Sequence, residues 1–104
     1  MTYELVSHKN GASLSGELTI YTAGEIKGSC AKLLSKRKKL EIDLSAVTEI
    51  DTAGLQLMLL LKRKPGVEVS FANHSAPVLR LLDLTNLAGA LGDPVLIDTK
   101  NERE

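Results

Sequence analysis

The sequence predicts a single α/β domain with a mixed, mostly parallel sheet and helices mainly on one sheet face. Three observations carry this. Strict apolar–polar alternation over 40–44 and 67–71 marks two strands, each with one buried face. Apolar residues at helical spacing fill the segments between and after them. An Asn10-Gly11 pair near the start signals a hairpin, because both residues tolerate positive φ. Alternating strands and helices imply parallel strands joined by right-handed crossovers. The expected order is β-β-α-β-α-β-α-β.

Each element has its own warrant. Tyr3 to Ser7 alternates loosely and forms the first strand. Leu14, Leu18 and Ile20 form the second, with Gly16 as the place for a bulge. Thr22-Ala23-Gly24-Glu25 fits a capping box at the start of a helix. Ile26, Cys30, Leu33 and Leu34 then share one face, which makes Cys30 a small core residue. Lys36-Arg37-Lys38-Lys39 is a basic run at that helix's end, and either a solvated terminus or a docking patch for an acidic partner or lipid headgroup. After the strand at 40–44 comes a connection over 45–50 anchored by Val47 and Ile50. Asp51-Thr52-Ala53-Gly54 opens the second helix, and Lys62-Arg63-Lys64 followed by Pro65-Gly66 ends it. Leucine runs nearly all round this helix, so it should be the most buried. Asn73-His74-Ser75 turns the chain out of the strand at 67–71. Ser75 is a plausible N-cap, and Pro77 is tolerated in the first turn. Val78, Leu81 and Leu82 mark the inner face of a third helix ending near Asn86, and 95–97 is a short last strand. Residues 1–99 form the domain and 100–104 a charged tail.

Composition excludes several functions. The 104 residues carry 13 Lys plus Arg and 13 Asp plus Glu, so the net charge is zero and a general polyanion-binding role is disfavoured. Aromatic residues are 3% of the chain, too few for base-stacking or sugar-binding platforms. One cysteine allows no internal disulfide and no cysteine-based metal site, and the two histidines, His8 and His74, lack ligand spacing. There is no phosphate-binding glycine loop and no nucleophile elbow. Asp43, Glu49 and Asp51 lie close in sequence, but nothing beside them suggests a substrate pocket. The N-terminus has no secretory pattern, and the longest apolar run, 57–61, is far short of the ~20 residues of a membrane span. The expectation is a cytoplasmic, non-enzymatic protein without cofactor or metal.

The most informative segment is Asp43-Leu44-Ser45-Ala46-Val47-Thr48-Glu49-Ile50-Asp51-Thr52-Ala53-Gly54-Leu55. It resembles the D-L-S-x-V-x-x-I/M-D-[ST]-x-G-L signature of STAS domains, the fold of anti-sigma-factor antagonists and sulfate-transporter tails. Gly16-Glu17-Leu18 resembles the G-E-L of the family's second strand. The resemblance implies a bacterial regulator that docks on a kinase that is also an anti-sigma factor. Thr52 would be the phosphoacceptor and the switch, and a phosphatase would reset it. Asp43 would be an acid near the phosphosite. The expected docking surface, where polar and small residues mix around the helix start and the neighbouring strand end, holds Gly16, Glu17, Ser45, Thr48, Glu49, Asp51, Thr52, Ala53 and Gly54. Thr19 stands where most antagonists carry Asp, and the acceptor is Thr rather than Ser. The D-T-x-G form is also similar to that of the small STAS subunit of phospholipid ABC transporters, which binds an ATPase subunit. A subunit of a larger STAS signalling scaffold is a further alternative.

Overall fold

The computed structural model describes residues 2–92. The expected strand at 95–97 and the tail at 100–104 lie outside them. Within them the order is β1 (Tyr3–Ser7), β2 (Gly11–Leu18), α1 (Ala23–Leu34), β3 (Lys39–Ile50), α2 (Thr52–Lys62), β4 (Glu68–Ala72), α3 (Ala76–Thr85) and α4 (Ala88–Leu91). The four described strands form one sheet in the order β1-β2-β3-β4. β1 runs antiparallel to β2, and β2–β3 and β3–β4 are parallel, as the crossover connections require. The short helix α4 was not expected from the sequence. It brings Leu91 into the core.

One sheet face is buried. Ala12, Leu14 and Leu18 of β2, Leu40, Ile42 and Leu44 of β3, and Val69 and Phe71 of β4 form a single cluster with Ile26, Cys30 and Leu34 of α1, Leu57, Met58 and Leu61 of α2, and Val78 and Leu82 of α3. On the other face Glu4 and Glu41 are exposed and Ser13 and Ser70 half-buried, as the alternation predicts. Burial pushes the Cys30 thiol up to about 11, so it is an unreactive core residue at neutral pH.

Four local expectations are corrected. First, the segment 45–50 is not a connection but the second half of β3, which runs unbroken to Ile50. β3 holds extra residues opposite Ser13–Ser15 and opposite Gly16–Glu17. The first of these moves the inward phase from Leu44 to Val47 rather than Ala46. Second, Thr22 does not form a capping box. Its hydroxyl accepts the Thr19 N–H at 3.0 Å and donates to the Glu17 carbonyl at 2.8 Å, so it holds the turn before α1. Glu25 stays exposed. Third, neither Asn10 nor Gly11 adopts positive φ. Gly11 is required for space, since a Cβ there would strike the Glu41 backbone. Fourth, Ser75 precedes α3 in extended conformation without capping it through its side chain.

The basic run at 36–39 is not a uniform solvated end either. Arg37 turns back to the β1–β2 hairpin, donating to the Gly11 carbonyl at 3.0 Å and the His8 carbonyl at 2.6 Å. Lys39 lies 3.9 Å from Glu68 in an exposed pair that contributes little.

Candidate functional site

The parallel strands β2 and β3 end side by side, with Leu18 opposite Ile50 and Glu17 opposite Glu49. Both then feed a helix, so α1 and α2 start at the same end of the sheet. In open α/β sheets, ligands bind outside the carboxyl ends of the strands.

Asp51 organises that end. Its Oδ1 accepts the Gly54 N–H at 3.1 Å, capping α2, and its Oδ2 accepts the Ile20 N–H at 3.0 Å. Its own N–H points to the Leu18 carbonyl at 3.4 Å. One side chain thus ties the start of α2 to the turn that follows β2. Gly54 makes this close seating possible. It is buried, and a Cβ there would lie 2.8 Å from Leu18 Cγ and 2.9 Å from the Leu18 carbonyl carbon. Gly16 has φ +88°, where a side chain is strained, and it lets β1 cross close to β2.

Thr52 is the first residue of α2 and is exposed. Helix geometry leaves the Thr52 and Ala53 N–H groups without intrahelical acceptors. Thr48 and Glu49 are exposed, and Glu17 is half-buried. Ser45 is exposed farther down β3.

Asp43 does not belong to this end. It pairs with Ser13, five residues before Leu18 along β2, which is about 17 Å from the Ile50 end at ordinary strand rise. The reason is that β3 continues past Ser45 and carries Asp51 away. Asp43 sits instead beside the hairpin. The Ser45 hydroxyl and amide and the Asn73 side chain hold its carboxyl below the ordinary range. Asn73 Nδ2 donates to it at 2.8 Å. Nearby, His8 Nε2 in the turn after β1 and Ser13 Oγ on β2 are 2.6 Å apart. Both carboxyl oxygens of Asp43 are engaged, Oδ1 by the Ser45 N–H and Oδ2 by the Asn73 amide.

Two residues at the Thr52 end escaped the sequence reading. Ile20 and Tyr21 are 67% and 89% exposed in the turn 19–22, joined to Asp51 through the Ile20 N–H. Ile20 reads as a continuation of the β2 pattern, and nothing in the sequence shows that the strand stops at Leu18. Thr19 is buried, and its hydroxyl accepts the Tyr21 N–H at 3.3 Å. The turn is therefore held without an acid at that position.

A mixed-sheet α/β domain with a capped D-T-x-G helix start at the carboxyl end of its parallel strands defines a STAS-type domain. The chain matches the model of the Mlab STAS-domain family over residues 1–97 and belongs to that family. A crystal structure of an anti-sigma factor antagonist from Mycobacterium paratuberculosis has the same fold, with TM-score 0.68 over 96% of this chain and 91% of that chain at 24% identity.

Proposed function

We propose that the chain is a non-enzymatic docking subunit that binds a partner protein through the Thr52 end of α2. The observation that carries this is the exposed set Ile20, Tyr21, Thr48, Glu49 and Thr52, held on a frame fixed by Asp51 and Gly54. Exposed aromatic and aliphatic side chains beside polar groups are the usual makings of an interface centre. Glu17, Glu49 and Asp51 give the surface a negative cast, which suits an apolar socket rimmed by lysine or arginine.

The favoured partner is a kinase that is also an anti-sigma factor, with phosphorylation of Thr52 as the switch and a phosphatase as the reset. Support comes from the D-S/T-x-G motif and the fold shared with an anti-sigma factor antagonist. A phosphate would add about −1.5 to −2 charges beside Asp51 and repel a partner docked there, while the helix N-terminus tolerates it. A second reading is supported by the Mlab family match: an accessory subunit seated on the ATPase of a phospholipid ABC transporter. The buried Thr19, in place of an acid, also favours it. Both readings use the same surface.

The test is calorimetry of the full chain with a candidate anti-sigma kinase and with a candidate transporter ATPase from the same organism, together with mass spectrometry for phosphothreonine after incubation with the kinase and ATP. Tyr21→Ala and Glu49→Lys should weaken binding by ~1–3 kcal/mol without lowering the melting temperature. Thr52→Asp should weaken it further under the switch reading. Normal binding by folded Tyr21→Ala and Glu49→Lys variants would refute the surface. Tight ATPase binding without phosphothreonine would select the transporter reading.

A further inference from the structure

The far end of α2 carries a second surface of different chemistry. A groove of about 310 Å³ runs between α1 and α2. Lys27, Ala31 and Leu34 form one wall, at i, i+4 and i+7 along α1, and Leu57, Leu60 and Leu61 form the other on α2. Leu57 and Leu61 lie at the floor, 4% and 7% exposed, while Leu60 on the lip is 56% exposed. Among the described residues, the lining holds three cations, Lys27, Arg63 and Lys64, and no acid. Cations at the end of α2 are expected from its dipole alone. Lys27 is not, because it projects from the first half of another helix.

We propose that this groove is a docking site for an amphipathic helix of a partner protein whose apolar ridge is flanked by glutamates or aspartates. Two adjacent helix ridges with an apolar floor offer the seat a third helix takes in ridge-into-groove packing. The rim supplies charge of one sign, so the complement is acidic. A lipid surface fits less well, since the floor leucines are recessed where a flat interface does not reach. A second copy of the chain would bring the two cationic rims together. The groove's nearest α2 residue, Leu57, lies about 7.5 Å along the helix from Thr52, and its charged rim lies beyond the helix's far end.

The test uses the full chain and a fluorescein-labelled helical peptide of about 18 residues, with leucines at i, i+3, i+4 and i+7 and glutamates on both flanks, beside its lysine-for-glutamate counterpart. The glutamate peptide should bind at least about tenfold tighter, weaken as salt is raised, and shift amide resonances along the facing stripes of α1 and α2. Leu60→Glu and Arg63→Glu should each weaken it by about fivefold or more at unchanged melting temperature, and Thr52→Asp should bind as the parent does. Equal binding of the two peptides, no saturable binding, or shifts elsewhere would overturn the proposal. So would sedimentation with phosphatidylglycerol vesicles, or a dimer in ultracentrifugation, that Leu60→Glu abolishes.

Discussion

Replacing Gly54 by alanine tests how the site is built. In a helix, alanine is better than glycine by up to ~1 kcal/mol. Here that gain is opposed by space. The new methyl would sit 2.8 Å from Leu18 Cγ and 2.9 Å from the Leu18 carbonyl carbon, with the carbonyl oxygen closer still. Backbone atoms cannot escape by changing rotamer, so the start of α2 would have to retreat by roughly 1 Å, the kind of forced shift that costs ~1–3 kcal/mol or more. The retreat also pulls Asp51 from its two tethers, the 3.0 Å bond to the Ile20 N–H and the 3.4 Å bond to the Leu18 carbonyl. Each is worth ~1 kcal/mol. The net expectation is a loss of about 2–4 kcal/mol out of a typical total of about 5–15. Urea unfolding followed by circular dichroism should show the midpoint falling by ~1.3–4 M, for a slope of ~1–1.5 kcal/mol/M. Gly28→Ala is the matched control: it lies in α1, exposed, and its Cβ would meet nothing within 4 Å. It should leave stability unchanged or raise it by up to ~1 kcal/mol. A Gly54→Ala protein as stable as its parent would refute the seating of α2 on the end of β2.

Two further outcomes follow from the packing. Arg37→Ala should cost ~1–2 kcal/mol and speed amide exchange around 8–11, because the hairpin loses both guanidinium contacts to the His8 and Gly11 carbonyls; unchanged exchange there would count against the clamp. Cys30 should resist thiol reagents in the native state, and its raised pKa sets the sign of an alkaline effect: the contribution is intact below the unfolded thiol's pKa near ~8.5 and is lost as pH rises toward about 11, while the unfolded thiol ionises first. A Cys30→Ala variant should therefore lose less stability over that window than the parent does, and superimposable alkaline curves would rule the effect out.

Much of the architecture is legible because it rests on local chemistry. Alternation at 40–44 and 67–71 reports one-sided burial, and the stripe Ile26, Cys30, Leu34 reports the inner face of α1. Asp51 as the cap of α2 is equally plain, since an acid before a small-residue helix start has one obvious partner. What escapes depends on neighbours far away in sequence. Thr22 has the pattern of a capping box, yet the Glu17 carbonyl and Thr19 N–H compete for its hydroxyl and win. Gly11 looks like a turn glycine, but its reason lies 30 residues on, at Glu41. The polar segment 45–50 looks like a loop because its extra residues break the two-residue period, and that error misplaces Asp43 beside Thr52. Ile20 is hidden by a strand pattern that continues two residues past Leu18, and Tyr21 next to it carries no sequence signal of its own. Leu60 likewise falls among buried leucines in the sequence and outside them in space.

The irregular pairing of β2 with β3 also bears on how the chain finds its fold. A plain two-residue repeat lets neighbouring strands slide by two positions and still match inside to inside. Here the ladder has two surplus residues, one beside Leu44 and one near Thr48, so a slid alignment would set a pleat against a kink at both places. Only one alignment satisfies them together. They work like the wards of a lock: mis-set pairings during folding should be short-lived, and once the strands have engaged, Thr52 and its neighbours are held at a fixed height above the sheet end.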